Sequence, residues 1–160
     1  MQIRLARHDD RDAIWRILQP TIRAGETYAL PSDMSEADAI AYWMGADRET
    51  FAAEEGGSIL GTYYLRPNQL GGGAHVANCG YVVAPEAAGR GVARRMCEHL
   101  LQQARDRGFR AMQFNFVVAT NERAIRLWQS LGFETVGRLP LAFRHPRHGD
   151  TDALVMFRTL

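Results

Sequence analysis

The sequence predicts a single α/β domain over residues 1–160, with helices packed on a mixed sheet. Three observations predict it. Runs rich in strand formers lie at His75 to Ala84 and Ala111 to Ala119. Between them, Val92, Met96, Leu100, Leu101 and Ala104 recur at helical spacing. A second helical pattern follows Asn121 before the next strand, so strand, helix, strand and helix alternate from 75 to 138. The length suits one domain. A chain of about 150 residues buries roughly 68–70% of its unfolded surface, enough for a core without disulfides or metal.

The remaining elements follow in order. Gln2 to Ala6 alternates as a short strand, and Asp9 and Asp10 supply N-cap chemistry. Ile14, Trp15, Ile17, Leu18 and Ile22 mark a helix that Pro20 is expected to kink or shorten and Gly25 to end. Ser35 with Asp38 opens a second helix through Ile40 and Trp43. Thr50 to Ala53 and Ser58 to Arg66 are strands around a Glu55-Gly56-Gly57 turn. Gly108 stops the helix of 91–107, and Gly132 ends the one that Asn121 begins. Phe133 to Arg138 and Ala153 to Arg158 complete the strands, with Leu141 to Asp150 expected as a charged surface loop.

Composition narrows the function. The net charge is +1, which points neither to nucleic acid nor to a membrane surface. No apolar run approaches the roughly 20 residues of a membrane span, and the first residues are too polar for a signal peptide. Cys79 and Cys97 lie in apolar segments and read as reduced thiols of a cytoplasmic protein. The five histidines show no metal-ligand spacing. All 19 basic residues are arginine, so any selection for planar, bidentate anion contacts is local.

The segment Val82-Val83-Ala84-Pro85-Glu86-Ala87-Ala88-Gly89-Arg90-Gly91-Val92-Ala93-Arg94-Arg95 carries the chemistry. A strand runs into a glycine-rich turn that opens a helix. Glycines let backbone N–H groups approach a ligand and point the same way. The helix N-terminus adds partial positive charge, and Arg90, Arg94 and Arg95 add charge-assisted donors. Such a turn suits a diphosphate.

Thirty residues after Gly91 comes Asn121-Glu122-Arg123-Ala124-Ile125-Arg126-Leu127-Trp128-Gln129-Ser130-Leu131-Gly132-Phe133. The strand, Gly-x-Gly-x-Ala turn, helix and strand, followed by Asn-x-x-Ala-x-x-Leu-aromatic-x-x-Leu-Gly-Phe, resemble the GCN5-related N-acetyltransferases. The resemblance is closest over residues 75–138. It implies a mostly antiparallel mixed sheet of about seven strands, splayed between strands 4 and 5, with about four helices. It also implies acetyl-coenzyme A as cosubstrate. No metal is expected, the amides Asn78 and Asn115 favour a small-molecule amine acceptor, and the 141–150 segment offers a homodimer contact. By this resemblance Ala88, Gly89, Arg90, Gly91, Val92 and Ala93 hold the pyrophosphate, although Ala88 stands where the family has Gln or Arg. Val83 is the backbone donor to the thioester oxygen, an oxyanion-type contact. Asn121 caps its helix and contacts the coenzyme A arm.

Two departures bear on mechanism. Trp128 stands where relatives often carry a tyrosine acid, and indole has no proton to lose near neutral pH. Asn78 stands where many carry a glutamate base, and an amide can only orient water or bind substrate. Asn78 and Asn115 lie on neighbouring strands, either as amides satisfying backbone groups at the splay or as substrate ligands. Glu26 and Tyr28, in the connection between the first helices, and Arg144, in the 141–150 segment, are further candidate substrate contacts; that segment is alternatively a dimer contact. His75-Val76-Ala77-Asn78 with Asn115 and Asn121 is also similar to the yeast azetidine-carboxylate acetyltransferase group, which implies an amino or imino acid acceptor. The alternatives are a non-catalytic acyl-coenzyme A-binding module and a protein or peptide N-acetyltransferase.

Overall fold

Gly56 and Gly57, both at positive φ, turn the chain between β2 (Glu49–Glu55) and β3 (Ser58–Pro67). β1 (Gln2–Leu5) pairs with β2 and β4 (Val76–Val83) with β3, all antiparallel. β5 (Ala111–Val118) pairs with β7 (Gly149–Thr159), and β7 with β6 (Glu134–His145), again antiparallel. The sheet order is β1-β2-β3-β4-β5-β7-β6. The structure, a computed structural model, describes residues 1–160.

The one parallel contact, β4 with β5, holds for only two pairs, Val76–Ala111 and Ala77–Met112. Beyond them the strands part. The seven-strand mixed sheet and its splay between β4 and β5 are as expected.

Four helices cover the sheet: α1 (Arg11–Ala24), α2 (Glu36–Trp43), α3 (Val92–Asp106) and α4 (Glu122–Ser130). α1 and α2 cover one face. There the Trp43 indole donates to Thr62 Oγ1 at 3.0 Å, and Thr62 donates to the Phe51 carbonyl. Each such bond is worth about 1 kcal/mol net, and more when a buried partner would be orphaned. α3 covers the opposite face through Val92, Met96, Leu100, Leu101 and Ala104, buried as the spacing predicts, and through Cys97 beside them. Gly61 permits its close approach: a Cβ there would lie 2.9 Å from Met96 Cε.

Three local expectations change. Pro20 does not shorten α1, which runs on to Ala24; Pro20 and Arg16, whose carbonyl loses its donor, both lie on the exposed side, where water can take up that carbonyl. Asp10 stands at the α1 N-cap but does not cap the helix. Its carboxylate turns back to the Arg7 N–H at 2.6 Å and to Arg4 Nη1 and Nη2 at 2.7 and 3.0 Å. The expected loop at 141–150 is mostly the long β6–β7 hairpin. Pro140 interrupts its ladder, a bulge separates Leu139 from Phe143, and the Asp152 carboxylate takes up the Leu141 N–H.

The Arg4 guanidinium holds the Asp10 carboxyl below its ordinary range. A depressed carboxyl stabilises the fold above the unfolded-state pKa and ceases to do so as pH falls through the lower folded value. Asp10→Asn should therefore cost about 1.5–3 kcal/mol near neutral pH, the worth of a charged hydrogen bond. The difference from wild type should shrink below about pH 4, where the reference aspartate protonates. Denaturant unfolding of both proteins across pH 3–7 checks this, and a difference independent of pH would contradict it.

Candidate active site

A backbone with no neighbour must find other partners, and the splay leaves β4 in that position. Backbone groups of successive strand residues point to opposite edges. The Val76 carbonyl accepts from Asn68 N and the Ala84 N–H donates to Leu60, both on the β3 side. Tyr81 and Val83 therefore present N–H and carbonyl to the open side. Tyr28 satisfies both groups of Tyr81: its hydroxyl accepts from Tyr81 N–H at 2.7 Å and donates to Tyr81 carbonyl at 2.8 Å. Val83 keeps its N–H on the open edge.

Asn78, 5% exposed, continues the β4–β5 connection with its side chain. Its Nδ2 donates to the Gln113 carbonyl at 3.0 Å, and its Oδ1 accepts from Arg66 Nε at 3.4 Å. Asn115 does not meet Asn78. It donates to Asn68 Oδ1 at 2.7 Å and accepts from Gln113 Nε2 at 2.9 Å. Both asparagines border the cleft.

The cleft between β4 and β5 holds about 650 Å³. At one end lies the Ala88–Ala93 turn. Gly89 and Gly91 take φ of 82° and 76°, and no atom lies within 4 Å of where a Gly91 Cβ would sit. No side chain caps α3, and its first turn carries no acid. The N–H groups that open a helix lack intrahelical partners, so this end offers donors to an anion. Arg94 and Arg123 line the cleft beside it.

At the other end stand Tyr28, Tyr42, Tyr64, Arg66, Asn78, Asn115 and Phe116. The middle is apolar: Trp128 stacks on Tyr81 at 5.0 Å between ring centroids and meets Phe114 edge-on at 5.3 Å. The Tyr81 hydroxyl is buried against the Cys79 and Cys97 sulfurs without a nitrogen or oxygen partner. Burial pushes Cys97 up to about 11 and holds Cys79 well above the usual thiol range, so neither is a thiolate near neutrality. Burial likewise raises Tyr28, Tyr64 and Tyr81, which stay protonated donors.

Among the lining residues Arg66, Arg94 and Arg123 are the charged ones; no Asp, Glu, His or Lys lines the cleft. Tyr28, Asn78, Val83, Ala88, Gly89, Gly91, Val92, Ala93, Asn115, Asn121 and Trp128 line it. Arg90, Glu26 and Arg144 do not. Arg90 pairs with Glu55 outside the cleft. Glu26 pairs with Arg147 at 2.8 Å and Arg144 with Asp150 at 3.2 Å across the β6–β7 hairpin. The expected cap at Asn121 is absent: its side chain makes no bond to α4, which leaves the amide free at the cleft wall.

Two lining arginines escaped the sequence reading. Arg123 had a local signal, since a cation in the first turn opposes the helix dipole and calls for another reason to be there. Arg66 had none. Its place depends on the register that sets it opposite Asn78 across β3 and β4.

A family model described as Acetyltransferase (GNAT) family matches residues 11–133. The structure of a GCN5-related N-acetyltransferase from Kribbella flavida is 43% identical and superposes with a TM-score of 0.95 over 99% of this chain and 97% of that one. N-acetyltransferase aca1 of Schizosaccharomyces pombe is 37% identical over 99 residues, 61% of this chain and 47% of that protein. This chain thus spans less than half of that relative. L-amino acid N-acyltransferase MnaT of Escherichia coli is 28% identical over 146 residues, 88% of this chain and 83% of that protein.

Tyr28→Phe removes the one side-chain group that satisfies β4 at Tyr81. The expected cost is about 1–3 kcal/mol, that of leaving a buried polar group unpaired. Hydrogen exchange should find the Tyr81 amide less protected while amides on the β3 side keep their protection. Unchanged exchange at Tyr81 would mean that water replaces the phenol without loss.

Proposed function

The chain belongs to the acetyltransferase (GNAT) family, and from that premise we propose that it moves an acetyl group from acetyl-coenzyme A to the amine of a small molecule, an amino or imino acid or an analogue of one. One observation carries the reading: a splayed cleft with anion-ready backbone at one end, amides and aromatics at the other, and no acid or imidazole between them. GNAT relatives bind acetyl-coenzyme A. Bound here, it would supply an activated acetyl thioester.

The chain's own groups divide the work. The N–H groups of the Gly89 to Ala93 turn receive the pyrophosphate, with Arg94 and Arg123 adding charge. Arg123 joins Arg94 here, while Arg90, paired with Glu55, and Arg95 do not line the cleft. The free amide of Asn121 and the open edge of β4 flank the pantetheine arm. Val83 N–H donates to the thioester oxygen, where negative charge develops as the amine attacks. Trp128 and Tyr81 wall the reacting centre with apolar surface and offer no labile proton near neutrality. Asn78 and Asn115 border the acceptor end. The amine arrives neutral or loses its proton to water; its nitrogen would bond the acetyl carbon as the carbon–sulfur bond breaks. Coenzyme A would leave as the thiolate, and the proton shed by the nitrogen would pass to water or to that thiolate, while the protein contributes position and polarisation.

A non-catalytic binding module would share the turn and the edge but release no thiol. Free-thiol release with a panel of small amines and peptides therefore tests the activity itself. Small amino or imino acids outrunning peptides is the expected result, and peptides outrunning every small amine would overturn the acceptor class.

Gly91→Trp places an indole in the open space before the turn and forces a non-glycine residue into a left-handed conformation, at about 1–2 kcal/mol. Calorimetry should show coenzyme A affinity falling on the order of tenfold or more in a folded variant. Unchanged affinity would put the pyrophosphate elsewhere.

The pH profile tests the missing base. The neutral amine reacts and the ammonium does not, so kcat/KM should rise with pH along the acceptor's own ionisation. The raised tyrosines and thiols remain protonated over this range. Acceptors of different basicity should shift the midpoint by the difference in their amine pKa values. A midpoint that stays fixed across acceptors would reveal a protein base.

A further inference from the structure

Three arginines line the cleft, and the reading of its cofactor end uses two of them. Arg66 is the third. It stands next to Asn78, away from the glycine turn, on the strand that forms the acceptor wall with Tyr64. Its neighbour Arg48 provides a contrast. The Arg48 side chain is 7% exposed, holds Asp47 through Nε at 2.8 Å and Nη2 at 2.9 Å, lies over Tyr42 and Tyr64 at 5.0 and 4.7 Å, and has its remaining Nη1 enclosed without a partner, out of a ligand's reach. That pair pulls Asp47 down to about 2, so Asp47 is committed to Arg48 across the physiological range.

Arg66 is held loosely by comparison. Nε reaches Asn78 Oδ1 and Nη1 reaches Asp47 Oδ2, both at 3.4 Å, beyond the usual range for a strong bond. Nη2 donates to nothing within the protein. The side chain is 29% exposed, and the Arg48, Arg66 and Asp47 group carries one positive charge in excess. A planar fork with a free donor edge, one surplus charge and an aromatic wall suits a single carboxylate taken in bidentate fashion.

We propose that Arg66 anchors the carboxylate of the acceptor, which makes that acceptor an α-amino or α-imino acid rather than a simple amine. This rests on the small-amine reading of the cleft and names its specificity-determining residue. Arg144, the sequence-based candidate for such a contact, lies outside the cleft wall. With the carboxylate held at Arg66, Asn78 and Asn115 flank the rest of the acceptor, and the amine points along β4 toward the open edge.

Acetyl transfer measured as thiol release, with one amino acid and its carboxamide as matched acceptors, tests the anchor. The readout is the ratio of kcat/KM for acid over amide, compared between wild type, Arg66→Met and Arg66→Lys at one pH. Comparing ratios between proteins cancels the different basicities of the two amines. Arg66→Met should cut the ratio by about tenfold or more, through the KM of the acid, as expected for loss of one charged bond. Arg66→Lys keeps the charge without the fork and should fall between. Calorimetry with coenzyme A on each variant establishes that the cleft is folded. A ratio that Arg66→Met leaves unchanged, with acid and amide slowed alike, would overturn the anchor while the small-amine reading stands. Turnover of peptides with no turnover of either small acceptor would overturn both.

Discussion

Two residue pairs hold β4 to β5, Val76–Ala111 and Ala77–Met112, and then the strands separate. The shape of the cleft follows from how the released backbone is satisfied. A buried N–H or carbonyl without a partner costs about 1–3 kcal/mol, so a sheet cannot open without substitutes for its ladder. The chain supplies them by side chain. Asn78 reaches the Gln113 carbonyl, and the Tyr28 hydroxyl takes both groups of Tyr81. The substitution stops short of Val83, whose N–H stays on the open edge. The opening that makes the cleft thus also makes a strand edge ready for a ligand that can pair with it.

The helices at the cleft are poor helices by their own rules. α3 begins on a left-handed glycine with no side-chain cap and no acid in its first turn, and carries Arg94 and Arg95 where the dipole disfavours cations. α4 begins on Asn121, which does not cap it, followed by Glu122 and then Arg123 at the cleft. Each choice forgoes some tenths of a kcal/mol to about one. The loss is offset by burial of the α3 face, where six side chains leave water. An anion at the turn would satisfy the donors and the cations together, which accounts for the two departures both helix starts share, a missing side-chain cap and an arginine in the first turn.

This division also explains what the sequence disclosed. Spacing within one element was legible: the α3 face, the glycines at 89 and 91, and Gly132 behind α4 all have local causes. Their combination over 75–138 was specific enough to imply the family and, through it, the splay. Contacts between distant segments were not legible. Tyr28 lies 53 residues from Tyr81, and only the tertiary packing of the α1–α2 connection shows that its hydroxyl serves β4. Arg66 became visible only through its register with Asn78. Nor were the partners of Arg90 and Arg144 legible: each has an acidic partner outside the cleft, Glu55 and Asp150. The segment 141–150 looked like a loop because Pro140 and a cluster of charges mimic one. An edge strand tolerates both, with a bulge absorbing the proline.

The cleft's electrostatics close the argument about mechanism. Its walls hold three guanidiniums and no carboxylate, and its phenols and thiols are kept neutral by burial. On the proposed reading each of the three guanidiniums faces an anion, two the pyrophosphate and one the acceptor carboxylate, so what disfavours an ammonium at the apolar middle of the cleft is poor solvation. A shift of one pKa unit corresponds to about 1.4 kcal/mol of such unfavourable interaction. A carboxylate base would work against this, because its negative charge would favour the ammonium that cannot attack. The lack of a glutamate at Asn78 is therefore consistent with catalysis. An amide there bridges the splay without adding negative charge, and on the proposed reading poor solvation lowers the ammonium population that a base would otherwise have to deprotonate.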